Sequence, residues 1–160
     1  MALSILEVDN AAPLAGRLFR ATFGHPIPDF PRHFVAIHRA ADGAEHVVGY
    51  IHYTAWEAEG WLCGGLCVDR HAYARAGGTE AAEWKRDGGI GEIILRHTFA
   101  QLTDRAAIFG YCGDARQWKH DLNVGFVPAG PAHLLVKWNR PLPESVRAAM
   151  VARAAALGAF

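Results

Sequence analysis

The residues best suited to chemistry lie in one stretch, Lys85-Arg86-Asp87-Gly88-Gly89-Ile90-Gly91-Glu92-Ile93-Ile94-Leu95-Arg96. It comes after a strand-like run, Trp61 to Val68, and opens a long apolar helix. Three glycines beside a basic residue at a helix start suit the cradling of an anion. Glycine lets the backbone approach closely, and the unpaired N–H groups and positive dipole end of the helix face the charge. The alternative is an ordinary glycine-rich turn before a helix. Two well-known phosphate loops fit poorly. A P-loop needs Lys-Ser/Thr after its last glycine, and Gly91 is followed by Glu92-Ile93. The dinucleotide fingerprint would place its third glycine at Ile94 and should follow its strand directly, whereas roughly 20 residues separate Val68 from Gly89. Asp114 could still mimic the ribose-binding acid of that fingerprint.

Cys63-x-x-x-Cys67 invites a metal reading, and geometry opposes it. Residues four apart on a strand lie ~13 Å from each other, whereas two zinc-bound sulfurs must each sit ~2.3 Å from one ion. Buried apolar thiols are the better reading, and no metal is expected. With Cys112 the cysteines number three, which suits reduced thiols in a cytoplasm better than a disulfide framework.

The 160 residues are 51% hydrophobic, carry no net charge, and are expected to form one domain over 1–160 with a real core. That balance marks neither a nucleic-acid binder nor a polybasic membrane surface. No apolar run approaches the ~20 residues of a membrane span. The start, Met1 to Glu7, lacks the basic and apolar regions of a signal peptide. A cytoplasmic setting follows, without nucleic acid or membrane as partner.

These residues need elements to position them. Leu3 to Val8 reads as a strand, and Asp9 or Asn10 can cap a helix to Phe23 with Leu14, Leu18 and Phe23 inward and Gly24 as its stop. Three prolines make His25 to Pro31 an irregular loop, a candidate wall of a site. Phe34 to His38 and Val47 to Thr54 form a hairpin about Ala41-Asp42-Gly43, and Trp61 to Val68 gives another strand. Ile90 to Leu102 is apolar around much of its circumference, so it is covered on more than one side. A strand at Ala106 to Tyr111, a short helix at Asp114 to Leu122, a strand at His133 to Trp138 and a helix at Glu144 to Leu157 complete the chain. In the last, Val146, Met150, Ala154 and Leu157 are in register. This order predicts an α/β (α+β mixed) fold with one mixed, mostly antiparallel sheet of six to seven strands and helices on both faces.

The spacing Arg86-x-x-Gly89-x-Gly91 resembles the pyrophosphate loop of the GNAT N-acetyltransferase superfamily, and so does the element order. A second stretch supports the likeness. Members often show Asn-x-x-Ala-x-x-Leu-Tyr-x-x-x-Gly-Phe after the fifth strand; here the run is Asp114 to Phe126, with Gly125-Phe126 in place. The resemblance covers roughly residues 47 to 138. It implies acetyl-CoA as cosubstrate, its diphosphate held by Arg86, Asp87, Gly88, Gly89, Ile90 and Gly91, its carbonyl polarised by backbone N–H groups at Cys67 and Val68, and Asp114 at the family's asparagine position. An amine would then attack the thioester directly in a ternary complex.

The departures concern proton transfer. The family's usual tyrosine is Asp121, and strand positions that carry a catalytic Glu or His in several members correspond to Leu62 and Gly64. Arg70 to Lys85 forms an extra stretch before the loop. Proton-transfer candidates are therefore His52, Glu57, Glu59, Asp69, His71, His120 and Asp121. His120 or Asp121 is the chosen acid/base, with Glu57 and Glu59 on the acceptor side, while His52 reads as a structural histidine. Trp56, Trp61 and Trp84 could line an acceptor pocket or pack the core. The expected function is acetyl transfer from acetyl-CoA to a primary amine, more readily a small molecule than a protein, with a homodimer left open. The alternative is a non-catalytic acyl-CoA sensor.

Overall fold

A computed structural model describes residues 3–160. Strands β1 (Leu3–Val8), β2 (Arg32–Arg39), β3 (Glu45–Trp56), β4 (Gly60–Val68), β5 (Ala107–Tyr111), β6 (Val127–Pro128) and β7 (Leu134–Trp138) form one sheet in the order β1-β2-β3-β4-β5-β7-β6. The helices are α1 (Ala12–Phe23), α2 (Ala72–Ala76), α3 (Gly78–Arg86), α4 (Ile90–Gln101), α5 (Ala115–Asn123) and α6 (Glu144–Ala156). The β1–β2, β5–β7 and β6–β7 pairs are antiparallel and β4–β5 is parallel. The expected mixed α/β class and mostly antiparallel sheet are what the chain forms.

The chain divides into two compact units, one built from residues up to His52 plus Gly65–Phe99, the other from Tyr53–Gly64 plus Ala100–Phe160. In the first, alternate residues of β3 serve opposite faces. Tyr50 packs with Ala15 and Phe19 of α1, whereas Gly49 faces Ile94 of α4, close enough that a Cβ there would come within 2.5 Å of Ile94 Cδ1. Gly24 ends α1 in the left-handed conformation, its N–H donating to the Arg20 carbonyl. The inner face of α1 differs from the expected one: Ala15 and Phe19 are buried, while Leu14 and Phe23 are exposed. The helix starts at Ala12 with Ala11 as its N-cap, later than an Asp9 or Asn10 cap implies.

The stretch between β4 and the glycine loop folds into α2 and α3, which sequence reasoning left without structure. Trp84 and Glu80 of α3 bear on β2: the Trp84 ring lies edge-on to His38 at 5.1 Å, and Glu80 Oε2 is 2.9 Å from His38 Nε2. In the second unit, Met150 and Ala154 of α6 pack on Ala107, Phe109, Leu134 and Val136. Val146 and Leu157, expected in the same stripe, are exposed.

Candidate functional site

The glycine stretch joins α3 to α4. Gly88 and Gly89 have φ of 92° and 95°, a conformation that disfavours side chains and so explains the adjacent glycines. The loop is closed from within. Asp87 N–H donates to Glu83 O at 3.0 Å, Gly88 N–H to Lys85 O at 3.1 Å, and Gly89 N–H to Trp84 O at 2.7 Å. Ile90 N–H donates to the Tyr73 hydroxyl of α2 at 2.9 Å. The amides of Asp87 through Ile90, expected to face the diphosphate together, are thus engaged inside the chain. What this end of α4 offers an anion is the Gly91 amide, the dipole of a three-turn helix and the exposed Lys85 and Arg86 in the last turn of α3. The Tyr73 hydroxyl adds to these: it accepts from Ile90 and keeps its own proton to donate.

Two residues that sequence reasoning missed hold the loop's shape. Glu92 is 3% exposed, and its Oε2 would lie 2.0 Å from a Cβ on Gly88, so the carboxylate fills the space that glycine leaves. Arg96 neutralises it at 2.6 Å and also donates to the Asp87 carbonyl at 2.7 Å. Their i,i+4 spacing was readable as a pair. Tyr73, 17 residues ahead of its partner, left no such signal.

On β4, Cys67 is buried and Val68 half-buried; burial pushes the Cys67 thiol up to about 12, so it stays protonated. Within the second unit, the β4–β5 register runs from Gly60–Ala107 to Cys63–Gly110, and β4 continues beyond it. Asp69 accepts from Arg75 and the His71 amide, which with the arginine's charge hold its carboxyl below the ordinary value against the upward pull of burial. It is therefore a tied acid.

In the second unit, Asp114 caps α5 by accepting from Gln117 N–H at 2.7 Å. Asp121 is 6% exposed, accepts from Gln117 Nε2 at 2.8 Å, and lies beside the Cys112 thiol. Burial raises its pKa above the ordinary carboxylate value, outweighing Gln117, Cys112 and the nearby His120. His120, its neighbour on the helix, is half-buried. Glu57 and Glu59 in the β3–β4 turn are exposed and held by arginines: Glu57 by Arg153 at 2.9 Å, Glu59 by Arg140. Those ion pairs explain their presence without an acceptor. The tryptophans pack: Trp61 donates to Asp104, Trp84 meets Tyr73 and His38, and Trp56 stacks edge-on to Phe109. Among the described residues no group of three or more His, Cys, Asp or Glu is arranged to hold a metal ion. No described helix is long and apolar enough to cross a membrane.

No protein-family model and no curated protein sequence matches the chain. Solved structures do. A GNAT family acetyltransferase from Elizabethkingia anophelis with acetyl-CoA bound superposes with a TM-score of 0.62 at 11% identity, over 86% of this chain and 98% of that one. The ribosomal-protein-S18-alanine N-acetyltransferase from Escherichia coli gives 0.59 at 11% identity, over 89% and 97%. The IAA acetyltransferase from Bacillus cereus gives 0.54 at 15% identity, over 78% and 77%. The fold is that of the GNAT acetyltransferases.

Proposed function

We propose that this chain transfers an acetyl group from acetyl-CoA to a primary amine by direct attack on the thioester. The observation that carries this reading is the fold shared with an acetyl-CoA-bound acetyltransferase, joined to an α4 start whose glycines, Lys85 and Arg86 suit a diphosphate. Arg86, Lys85, Tyr73 and the Gly91 amide hold the diphosphate. The backbone at Cys67 and Val68 polarises the carbonyl, and Asp114 caps α5. Asp121, whose carboxyl is biased towards its protonated form, supplies a proton to the departing thiolate, with His120 beside it. We infer a cytoplasmic setting and a small amine as acceptor; the ribosomal-protein neighbour makes a protein N-terminus the second class to screen.

The test is calorimetry with acetyl-CoA on wild type and Gly91→Glu, followed by an amine screen with free coenzyme thiol as readout. Gly91 lies in ordinary helical space, its nearest neighbours 3.9 Å from a built Cβ, so a side chain can start there without a clash, and a thermal melt of the variant checks the fold. The added carboxylate should weaken acetyl-CoA binding by at least ~10-fold through like-charge repulsion. Unchanged affinity would remove the coenzyme loop from this reading. Binding without turnover on any amine would favour an acyl-CoA sensor.

A further inference from the structure

The first unit holds a buried polar chain that the roles above leave unused. His33 on β2 is 2% exposed and Tyr50 on β3 is fully buried. His33 Nδ1 lies 2.7 Å from the Tyr50 hydroxyl, which lies 3.2 Å from Nδ1 of His52, two residues along β3. A hydroxyl has one proton, so at most one imidazole can accept from it and the other must donate to it. The shorter distance suits an O–H donor and the longer an N–H donor. Tyr50 therefore donates to His33, and His52 donates its Nδ1–H to Tyr50. This fixes the tautomer of His52 and leaves the lone pair on Nε2. The ring is half-buried and backs onto β4, where a Cβ on Gly65 would come within 2.7 Å of His52 Cε1 and Nδ1. The next residues of β4 lead to the Cys67–Val68 backbone assigned to the thioester.

Resting on the acetyl-transfer reading, we propose that His52 is the catalytic base that takes the proton of the acceptor's ammonium at Nε2, with Tyr50 and His33 as positioning residues that relay the proton inward. The ammonium gives one proton to Nε2; Nδ1–H passes to Tyr50, and the tyrosine proton to His33 Nδ1. The neutral amine then attacks the thioester carbonyl, forming C–N and breaking C–S. The departing thiolate takes its proton from Asp121, and the second amine proton, released through solvent, restores that acid. Burial, then the neighbouring His33 and His25, hold His52 down to about 4. It is therefore neutral with its lone pair free at pH 7, and carries a proton only in transit. The titratable groups around it are His33 on β2, Tyr50 on β3, His25 after α1, and Cys67 on β4, which couples to Tyr50.

The experiment joins kinetics to spectroscopy. Wild type, His52→Gln and Tyr50→Phe are assayed with acetyl-CoA against amino acids, polyamines and an alanine-terminated peptide, reading released thiol, with acetyl-CoA binding measured in parallel. His52→Gln should lower kcat at least ~100-fold and Tyr50→Phe ~10-fold, with coenzyme binding held within about two-fold. Nitrogen NMR of histidine-labelled wild type should show His52 as the Nδ1–H tautomer at pH 7, and a mixture in Tyr50→Phe. An Nε2–H tautomer in wild type, or an undiminished kcat in His52→Gln, overturns the proposal while acetyl transfer stands. A wild type that binds acetyl-CoA and acetylates none of these amines overturns both. Should His52→Gln fail to fold, the wild-type spectrum decides alone.

Discussion

Helices α4 and α5 both begin just after a glycine, and they close their first turns with opposite chemistry. At α5 the cap is the Asp114 carboxylate, which accepts from Gln117 N–H and brings its own negative charge to the positive end of the helix. At α4 the acceptor is the neutral Tyr73 phenol, and the acid of the first turn, Glu92, is turned inward and neutralised by Arg96. The first arrangement uses up the helix end. The second stabilises the end yet keeps it electropositive, with Lys85 and Arg86 beside it. A helix start is thus available to an anion only when the group that caps it carries no charge.

The largest effect should come from the glycines themselves. Gly88→Ala would force a Cβ into the Glu92 carboxylate at a φ of 92° and is expected to cost about 2–4 kcal/mol, seen as a lower Tm. Gly113→Ala, with nothing within 4 Å of a built Cβ, should be nearly silent. Equal effects at the two positions would erase the contrast.

Removing each cap separates structure from binding. Asp114→Ala should destabilise by about 1 kcal/mol and leave acetyl-CoA affinity within error, in calorimetry and thermal melts. Tyr73→Phe keeps the ring against Trp84 but removes the acceptor of Ile90 N–H. It should cost about 1 kcal/mol and lower coenzyme affinity several-fold. If Asp114→Ala weakens binding more than Tyr73→Phe does, the electropositive start of α4 is not what holds the coenzyme.

The pH response of the first unit sharpens the comparison further. His52 is held below its ordinary value of 6.5, to about 4, so between those values the unfolded chain binds more protons than the folded one. Its contribution to stability is intact above pH 6.5 and is lost as pH falls towards 4. His52→Gln should flatten that part of a Tm-against-pH curve; an unchanged slope would place the acid sensitivity elsewhere.

How much of this was legible follows the range of the interactions. The loop, the helix it opens and the short helix from Asp114 announce themselves by residues close in sequence, and strands β1 to β5 by local pattern. Tyr73 closing the α4 start, Glu80 and Trp84 anchoring α3 on β2, and the His33–Tyr50 bond are pairings across 17 to 46 residues, for which periodicity carries no signal. His52 read as a structural residue because a lone strand histidine has no visible partner. The arginines on Glu57 and Glu59, 96 and 81 residues away, were hidden for the same reason.

Asp121 tests the other end of α5, where a carboxylate is buried rather than presented. Its folded pKa is raised by burial, so just above the ordinary value of 3.8 the folded chain binds more protons than the unfolded one. Its contribution to stability is fully present below 3.8 and falls away as pH rises through the higher folded value. Asn at this position is neutral at every pH and can still accept from Gln117 Nε2. Asp121→Asn should therefore match wild type at pH 3–4 and melt slightly higher at pH 7–8, reversing the usual loss on substitution of a buried group. A Tm lowered equally at all pH values would mean that Gln117 and Cys112 hold a carboxylate which is well satisfied as an anion. In that case Asp121 has no proton to give at neutral pH, and the acid for the departing thiolate falls to His120. A raised Tm at pH 7–8 together with a fall in kcat would instead identify a carboxyl kept buried at a cost in stability because its proton is used.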